Sequence, residues 1–72
     1  MRLKKLRIKY GFTQLQIAEL IGVSLYKYRK YEKTGGKTMS LRAAECLAYL
    51  YGVTFEYLMG ESYIEHVLSI LG

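Results

Sequence analysis

Residues 12–32 read Phe-Thr-Gln-Leu-Gln-Ile-Ala-Glu-Leu-Ile-Gly-Val-Ser-Leu-Tyr-Lys-Tyr-Arg-Lys-Tyr-Glu, and this stretch is the most informative part of the chain. Thr13 and Ser24 each precede a run with helical spacing of apolar residues. Both are good helix starters, because a side-chain hydroxyl can accept a hydrogen bond from an amide of the first turn. The glycine between the two runs can take the left-handed conformation that ends a helix. The stretch therefore predicts short helices over 14–21 and 25–33, joined by a tight turn.

The second of these helices is basic on one side. Lys27, Arg29 and Lys30 come before its only acid, Glu32. The other face of the same helix carries Tyr28 and Tyr31, three residues apart, a spacing that is expected to place both rings against the core. Two helices joined by a tight turn, with a basic second helix, are the layout of a helix-turn-helix, whose second helix enters the DNA major groove. The residues alone thus predict a DNA-binding motif.

Glycines divide the rest of the chain into segments of the length typical of helices. Apolar residues recur within them at the spacing of one helix face, which favours helices over strands. The additional helices are predicted over 2–10, 41–51, 55–59 and 63–71. We expect an all-α fold, with a compact five-helix domain over residues 1–60 and an additional C-terminal helix within residues 61–72.

The same spacing selects the core. The side chains expected to face inward from helix 14–21 are Leu15, Ile17, Ala18 and Ile21. The tyrosines expected at core positions are Tyr28, Tyr31, Tyr51 and Tyr57, whereas Tyr10 and Tyr26 are expected to be more exposed. The single cysteine, Cys46, is expected to be a reduced and partly buried small hydrophobe.

Length and composition bound the class of protein. A chain of 72 residues with 51% hydrophobic residues is one folded domain with a small core. No apolar run approaches the about 20 residues that a membrane-spanning helix needs. The basic N-terminus is not followed by the uncharged apolar stretch of a signal peptide. One cysteine cannot form a disulfide framework, and a cytoplasmic protein without a membrane partner is expected.

Charge is distributed unevenly along the chain. Residues 1–38 hold ten lysines and arginines against two glutamates, a net charge of +8. Residues 39–72 hold one arginine against four glutamates, a net charge of −3. The first half therefore suits a polyanionic partner. Ordinary solvated helix faces remain an alternative, as does binding of residues 2–10 to a membrane surface.

A specific set of residues extends beyond the helix-turn-helix pattern. It comprises Leu6-Arg7, the run from Phe12 to Ala18, Gly22-Val23-Ser24, Tyr28, Tyr31-Glu32, Leu47, Leu50, Gly52-Val53 and Leu58. With these residues the chain resembles the phage-repressor and Cro-type helix-turn-helix domains over about residues 2 to 60. The resemblance implies a five-helix all-α fold, double-stranded DNA as partner, and a role as a sequence-specific transcriptional regulator, chiefly a repressor.

The resemblance also implies roles for individual residues. The positions that usually reach base edges are Leu25, Tyr26 and Lys30. The positions that usually contact phosphate are Lys27, Arg29, Lys37 and Gln14, the last through both its side chain and its amide. Arg7 and Glu32 match a pair that usually forms a buried ion pair between the helix over 2–10 and the end of the helix over 25–33. Leu25 and Tyr26 depart from the polar residues usual there, and Leu25 could contact only a thymine methyl group or sugars.

The C-terminal helix lies outside the resemblance. Its apolar stripe consists of Ile64, Val67, Leu68 and Leu71. Such a stripe could form a homodimer interface or pack on its own domain, and helix-turn-helix proteins usually bind DNA as dimers. It also keeps open a rival function, that of a protein-interaction module such as an antitoxin or an accessory subunit.

Nothing in the sequence indicates an enzyme. The chain has no aspartate, and Cys46 and His66 have no neighbours that would complete a catalytic or metal site. The glycine pair at 35–36 lacks the lysine and hydroxyl residue of a phosphate-binding loop. We expect no catalytic activity, no bound metal and no cofactor.

Overall fold

A computed structural model describes residues 2–72, with the side chains of residues 61–67 excepted. The helices in chain order are α1 (Leu3–Lys9), α2 (Gln14–Ile21), α3 (Leu25–Lys33), α4 (Leu41–Tyr51) and α5 (Phe55–Leu71). The described residues contain no strand, so the prediction of an all-helical chain is confirmed. Within that part of the chain, no helix is both long enough and apolar enough to span a membrane.

α5 is interrupted at Gly60. The φ of 77° and ψ of 177° at this residue are not helical, so α5 consists of two helical segments that meet at a kink. This backbone conformation is essentially restricted to glycine, because a Cβ atom would clash there. The two helices predicted over 55–59 and 63–71 are therefore present as one run with a break between them.

Hydroxyl side chains start four of the five helices. Thr13 Oγ1 accepts a hydrogen bond from the Gln16 amide at 3.1 Å, and the Gln16 side chain accepts one from the Thr13 amide at 2.8 Å. The same kind of cap is formed by Ser24, Ser40 and Thr54. Each cap satisfies amides that have no partner inside the helix. The helix starts predicted from sequence at these residues are confirmed.

The core lies where all five helices meet. Its buried side chains are Leu3, Leu6, Ile17, Ala18, Tyr28, Tyr31, Ala43, Ala44, Leu47, Ala48, Tyr51, Leu58 and Met59. The Tyr28 and Tyr31 rings pack edge to face, with centroids 6.3 Å apart. Because α3 gives its two large aromatic residues to the core, its remaining side chains point to solvent. The predicted burial of both tyrosines is confirmed.

Three predictions about burial are wrong. Leu15 is exposed at the edge of the buried face of α2, about 60° around the helix from buried Ala18 and on the side away from Ile17. Tyr57 is also exposed, although its ring is covered on one face by the Arg2 guanidinium, 4.4 Å from the ring centroid. Cys46 is exposed on α4, one position away from buried Leu47. Each residue lies beside the buried face of its helix rather than on it.

The N-terminus is tied to α5. The Arg2 amide donates a hydrogen bond to the Leu58 carbonyl at 3.1 Å, and the Arg2 side chain donates to the Tyr57 carbonyl at 2.6 Å. Nearby, the Tyr10 and Tyr51 rings stack with centroids 5.7 Å apart. These contacts fix the two ends of α1 against the start of α5 and the last residue of α4.

Candidate nucleic-acid interface

The outward face of α3 is cationic. Lys27, Arg29, Lys30 and Lys33 are all exposed, and Tyr26 exposes 77% of its surface. Residues three and four apart on a helix are neighbours, so Tyr26, Arg29, Lys30 and Lys33 share one side of α3. The burial of the two intervening tyrosines leaves this side free for a ligand.

A shallow groove runs along this face. It is lined by Tyr26, Arg29, Lys30, Lys33 and Thr34. Three cationic side chains beside an aromatic ring can contact phosphate oxygens, acceptors on base edges and the flat faces of sugars or bases. Two of these residues, Lys33 and Thr34, were not predicted as site residues. The spacing of three from Lys30 to Lys33 could have indicated the first of them.

The only acid of α3 is turned away from the groove. Glu32 Oε2 accepts a hydrogen bond from Arg7 Nε at 2.7 Å and from the Tyr28 hydroxyl at 2.6 Å. Its Oε1 accepts from Gln14 Nε2 at 3.2 Å and from Arg7 Nη2 at 3.4 Å. The side chains of Arg7 and Glu32 are only 12% and 8% exposed. The pair therefore links α1 to the end of α3, and Gln14 connects α2 to the same carboxylate.

Hydrogen bonding keeps this cluster charged. Burial tends to raise the pKa of Glu32, but the hydrogen bonds from Arg7, Tyr28 and Gln14 outweigh it and lower that pKa below its ordinary value. The hydrogen bond to Glu32 raises the pKa of Arg7, against the effect of burial. Burial, assisted by the bond to Glu32, raises the pKa of Tyr28. At neutral pH the carboxylate is ionised and compensated within the protein, so its charge does not offset the cations outside.

Gln14 extends the cluster to the surface. Its Oε1 accepts a hydrogen bond from Arg29 Nε at 3.3 Å, while its Nε2 donates to Glu32. The half-buried Gln14 begins α2, and Arg29 is exposed on α3. The structure thus brings a predicted phosphate-contacting residue, Gln14, against a second one, Arg29.

Three other predicted DNA-contacting residues do not line the groove. Leu25, the first residue of α3, is half-buried, and Lys27 is exposed in the first turn of that helix. Lys37 is exposed in the loop between α3 and α4, and it does not line the groove. Tyr26, Arg29 and Lys30 are therefore the predicted residues that the fold gathers around one surface.

The predicted dimer-interface residues are described only in part. The side chains of Ile64 and Val67 lie outside the described residues. Leu68 and Leu71 are exposed near the end of α5, and Ile70 between them is exposed as well. This end of α5 carries apolar surface that the described part of the domain does not cover.

Metal ligands and relatives give no further indication of function. The described residues contain no group of three histidine, cysteine or acidic side chains that could hold a metal ion. Comparison with protein-family models, with curated proteins and with solved structures gives no match to this chain.

Proposed function

We propose that the protein is a sequence-specific binder of double-stranded DNA that regulates transcription, with α3 as the helix that reads the major groove. The observation that carries the proposal is the outward face of α3. It presents four cations, and the only acid of the helix is held inward by Arg7. A cationic helix of this kind, placed after a short helix and a glycine turn, meets the geometric and electrostatic needs of groove binding.

Individual side chains suit different parts of such a complex. Lys30 can donate a hydrogen bond to guanine O6 or N7, and the Tyr26 hydroxyl can donate to a base or a phosphate. Leu25 can contact a thymine methyl group. Lys27 and Lys37, both exposed, would contact phosphates, which contributes affinity but no sequence preference.

Occupation of an operator would make the protein a repressor. A single short helix reads few base pairs, and two copies on an inverted repeat would double the contacts. We propose a homodimer in which the end of α5 packs against its counterpart in a second copy, covering Leu68 and Leu71. Sedimentation equilibrium tests this step: Leu71→Glu should shift a dimer toward monomer, and a wild-type chain that stays monomeric at high concentration would contradict it.

A second candidate function is supported by the same apolar surface. The end of α5 could bind a different protein, which would make the chain an interaction module such as an antitoxin or an accessory subunit. This function accounts for the exposed Leu68, Ile70 and Leu71. It gives no reason for the cationic face of α3, so DNA binding is the better-supported proposal.

Selection from a pool of random duplexes tests the proposed function. The wild type should enrich an inverted repeat with half-sites about 34 Å apart, one helical turn of DNA. Lys30→Ala should relax the preference at one position of each half-site. Lys9→Ala is the matched control, because Lys9 is an exposed lysine on α1 beside Tyr10 and Tyr57, outside the α3 groove. Absence of any enriched motif, or equal effects of both substitutions, would contradict reading by α3.

A further inference from the structure

We infer that Gln14 is a positioning residue, which orients Arg29 so that its guanidinium can bind a DNA phosphate. The inference rests on the proposed function, and it assigns the two residues different tasks. The family resemblance makes the Gln14 side chain a direct phosphate ligand. In this structure both polar atoms of that side chain already have partners inside the protein.

The chemistry of the partners fixes the orientation of the Gln14 amide. The Glu32 carboxylate can only accept hydrogen bonds, and the Arg29 guanidinium can only donate them. The NH₂ group of Gln14 must therefore face Glu32, and its carbonyl must face Arg29. Reversing the amide would put donor against donor and acceptor against acceptor.

Glu32 is itself held by hydrogen bonds from other side chains, so the orientation is set from the core. Its carboxylate is held by Arg7 from α1 and by the buried Tyr28 hydroxyl from its own helix. The order of contacts runs from Arg7 through Glu32 and Gln14 to Arg29. An exposed arginine thus takes its position from a buried ion pair through a single amide.

This arrangement also leaves the positive charge of Arg29 without a paired carboxylate among the described residues. Arg29 and Glu32 are three residues apart on α3, a spacing at which opposite charges attract each other. A direct pair would fold the guanidinium back on the helix and neutralise it. Here Arg7 and Tyr28 occupy the carboxylate, and Gln14 stands between the two charges.

The terminal nitrogens of Arg29 are then available to a ligand. The Gln14 carbonyl takes Nε, and among the described residues no hydrogen bond engages Nη1 or Nη2. The two terminal amino groups form a planar fork that matches two oxygens of one phosphate. Because α2 begins at Gln14, the fork lies beside the start of α2, where the resemblance expects the DNA backbone.

A double-mutant cycle tests the inference, using a short duplex of random sequence at two salt concentrations. Gln14→Met removes both polar atoms while nearly keeping the length of the side chain. Arg29→Ala should weaken binding about ten-fold and reduce the slope of log K against log [salt] by about 0.9. Gln14→Met should weaken binding about five-fold, the size of one hydrogen bond's net contribution. Urea unfolding of each variant checks that the fold is intact.

The double variant decides between positioning and direct contact. If Gln14 acts through Arg29, Gln14→Met should have no further effect once Arg29 is alanine, so the double variant weakens binding about ten-fold. Gln14→Met combined with Lys30→Ala is the matched control, and its two effects should multiply. If the variant that combines Gln14→Met with Arg29→Ala binds DNA about fifty-fold more weakly than the wild type, the two residues make independent contacts, and the positioning role is overturned.

A measurement without DNA separates this inference from the proposed function. In the free protein, the Arg29 Nε–H proton should exchange with water more slowly in the wild type than in Gln14→Met. Equal exchange in the two proteins would overturn the positioning role, whatever the binding data show. A wild type that binds no duplex, even at low salt, would overturn the proposed function and the phosphate contact together.

Discussion

Replacement of Glu32 by alanine removes the acceptor for three side chains at once. Arg7 loses its ion pair in a site where its side chain is 12% exposed. The buried Tyr28 loses the only partner of its hydroxyl among the described residues. Gln14 also loses a partner, but it is half-buried and water can replace the carboxylate. The cost therefore comes mainly from Arg7 and Tyr28.

The magnitude follows from these two groups. Removing one partner of a buried ion pair costs about 3–5 kcal/mol, and the lower value applies because Arg7 keeps its hydrogen bond to the Phe12 carbonyl. An orphaned buried hydroxyl adds about 1 kcal/mol or more. The sum, about 4 kcal/mol, compares with a total stability of about 4–11 kcal/mol for a domain of this length. Glu32→Ala should leave the protein marginally folded.

Urea unfolding followed by far-UV circular dichroism measures this cost. Glu32→Gln, which keeps an acceptor for Tyr28, should lose about half as much. The triple variant Arg7→Met, Tyr28→Phe, Glu32→Leu should recover most of the loss, because it removes the buried polar groups of the cluster together and leaves only the half-buried Gln14, which water can reach. The folded fraction of Glu32→Ala should still select the same DNA sites. A loss below about 1 kcal/mol, the range of a surface pair, or normal folding with an altered base preference, would show that Glu32 is not a structural buried partner of Arg7.

Three further predictions concern pH and the turn. Folding lowers the pKa of Glu32, so its contribution to stability is complete above its ordinary pKa of 4.5 and is lost as pH falls through its pKa in the folded protein. Glu32→Gln should therefore make the loss of stability at acid pH shallower in urea unfolding. Burial raises the pKa of Tyr51 to about 12 from 10.0, so stability should fall as pH rises through that interval, and Tyr51→Phe should make the fall shallower. Gly22→Ala should lower the free energy of unfolding by about 1–2 kcal/mol in the same assay, because Gly22 has a left-handed φ of 73°. An added Cβ meets no neighbour there, so the cost would be backbone strain alone. An unchanged urea midpoint would contradict that strain.

The helices could be predicted from sequence because their signals are local. Thr13 and Ser24 cap helices with hydroxyls that reach amides three residues away, and the spacing of Tyr28 and Tyr31 identifies the buried face of α3. Such signals depend on neighbours along the chain. The extent of burial at the edge of a face depends on other helices, and for that reason the exposure of Leu15 was not predicted.

The candidate site was harder to predict, because its important contacts join distant parts of the chain. Tyr26, Arg29 and Lys30 follow from the periodicity of one helix, and the structure places them around one groove. The hydrogen bond between Gln14 and Arg29 joins residues fifteen positions apart, and the orientation of the Gln14 amide depends on a third residue, Glu32. Residue types and their spacing in one sequence do not predict these hydrogen bonds.

Mapping of the DNA-contacting surface by NMR is the direct test of whether α3 binds DNA. Amide and side-chain signals would be followed while a short duplex is titrated into the labelled protein at low salt. DNA reading by α3 predicts that the changes concentrate on the outward side of α3, at Tyr26, Arg29 and Lys30, and at the start of α2, with Lys9 unaffected. Changes confined to the end of α5, or no changes at any DNA concentration, would contradict it.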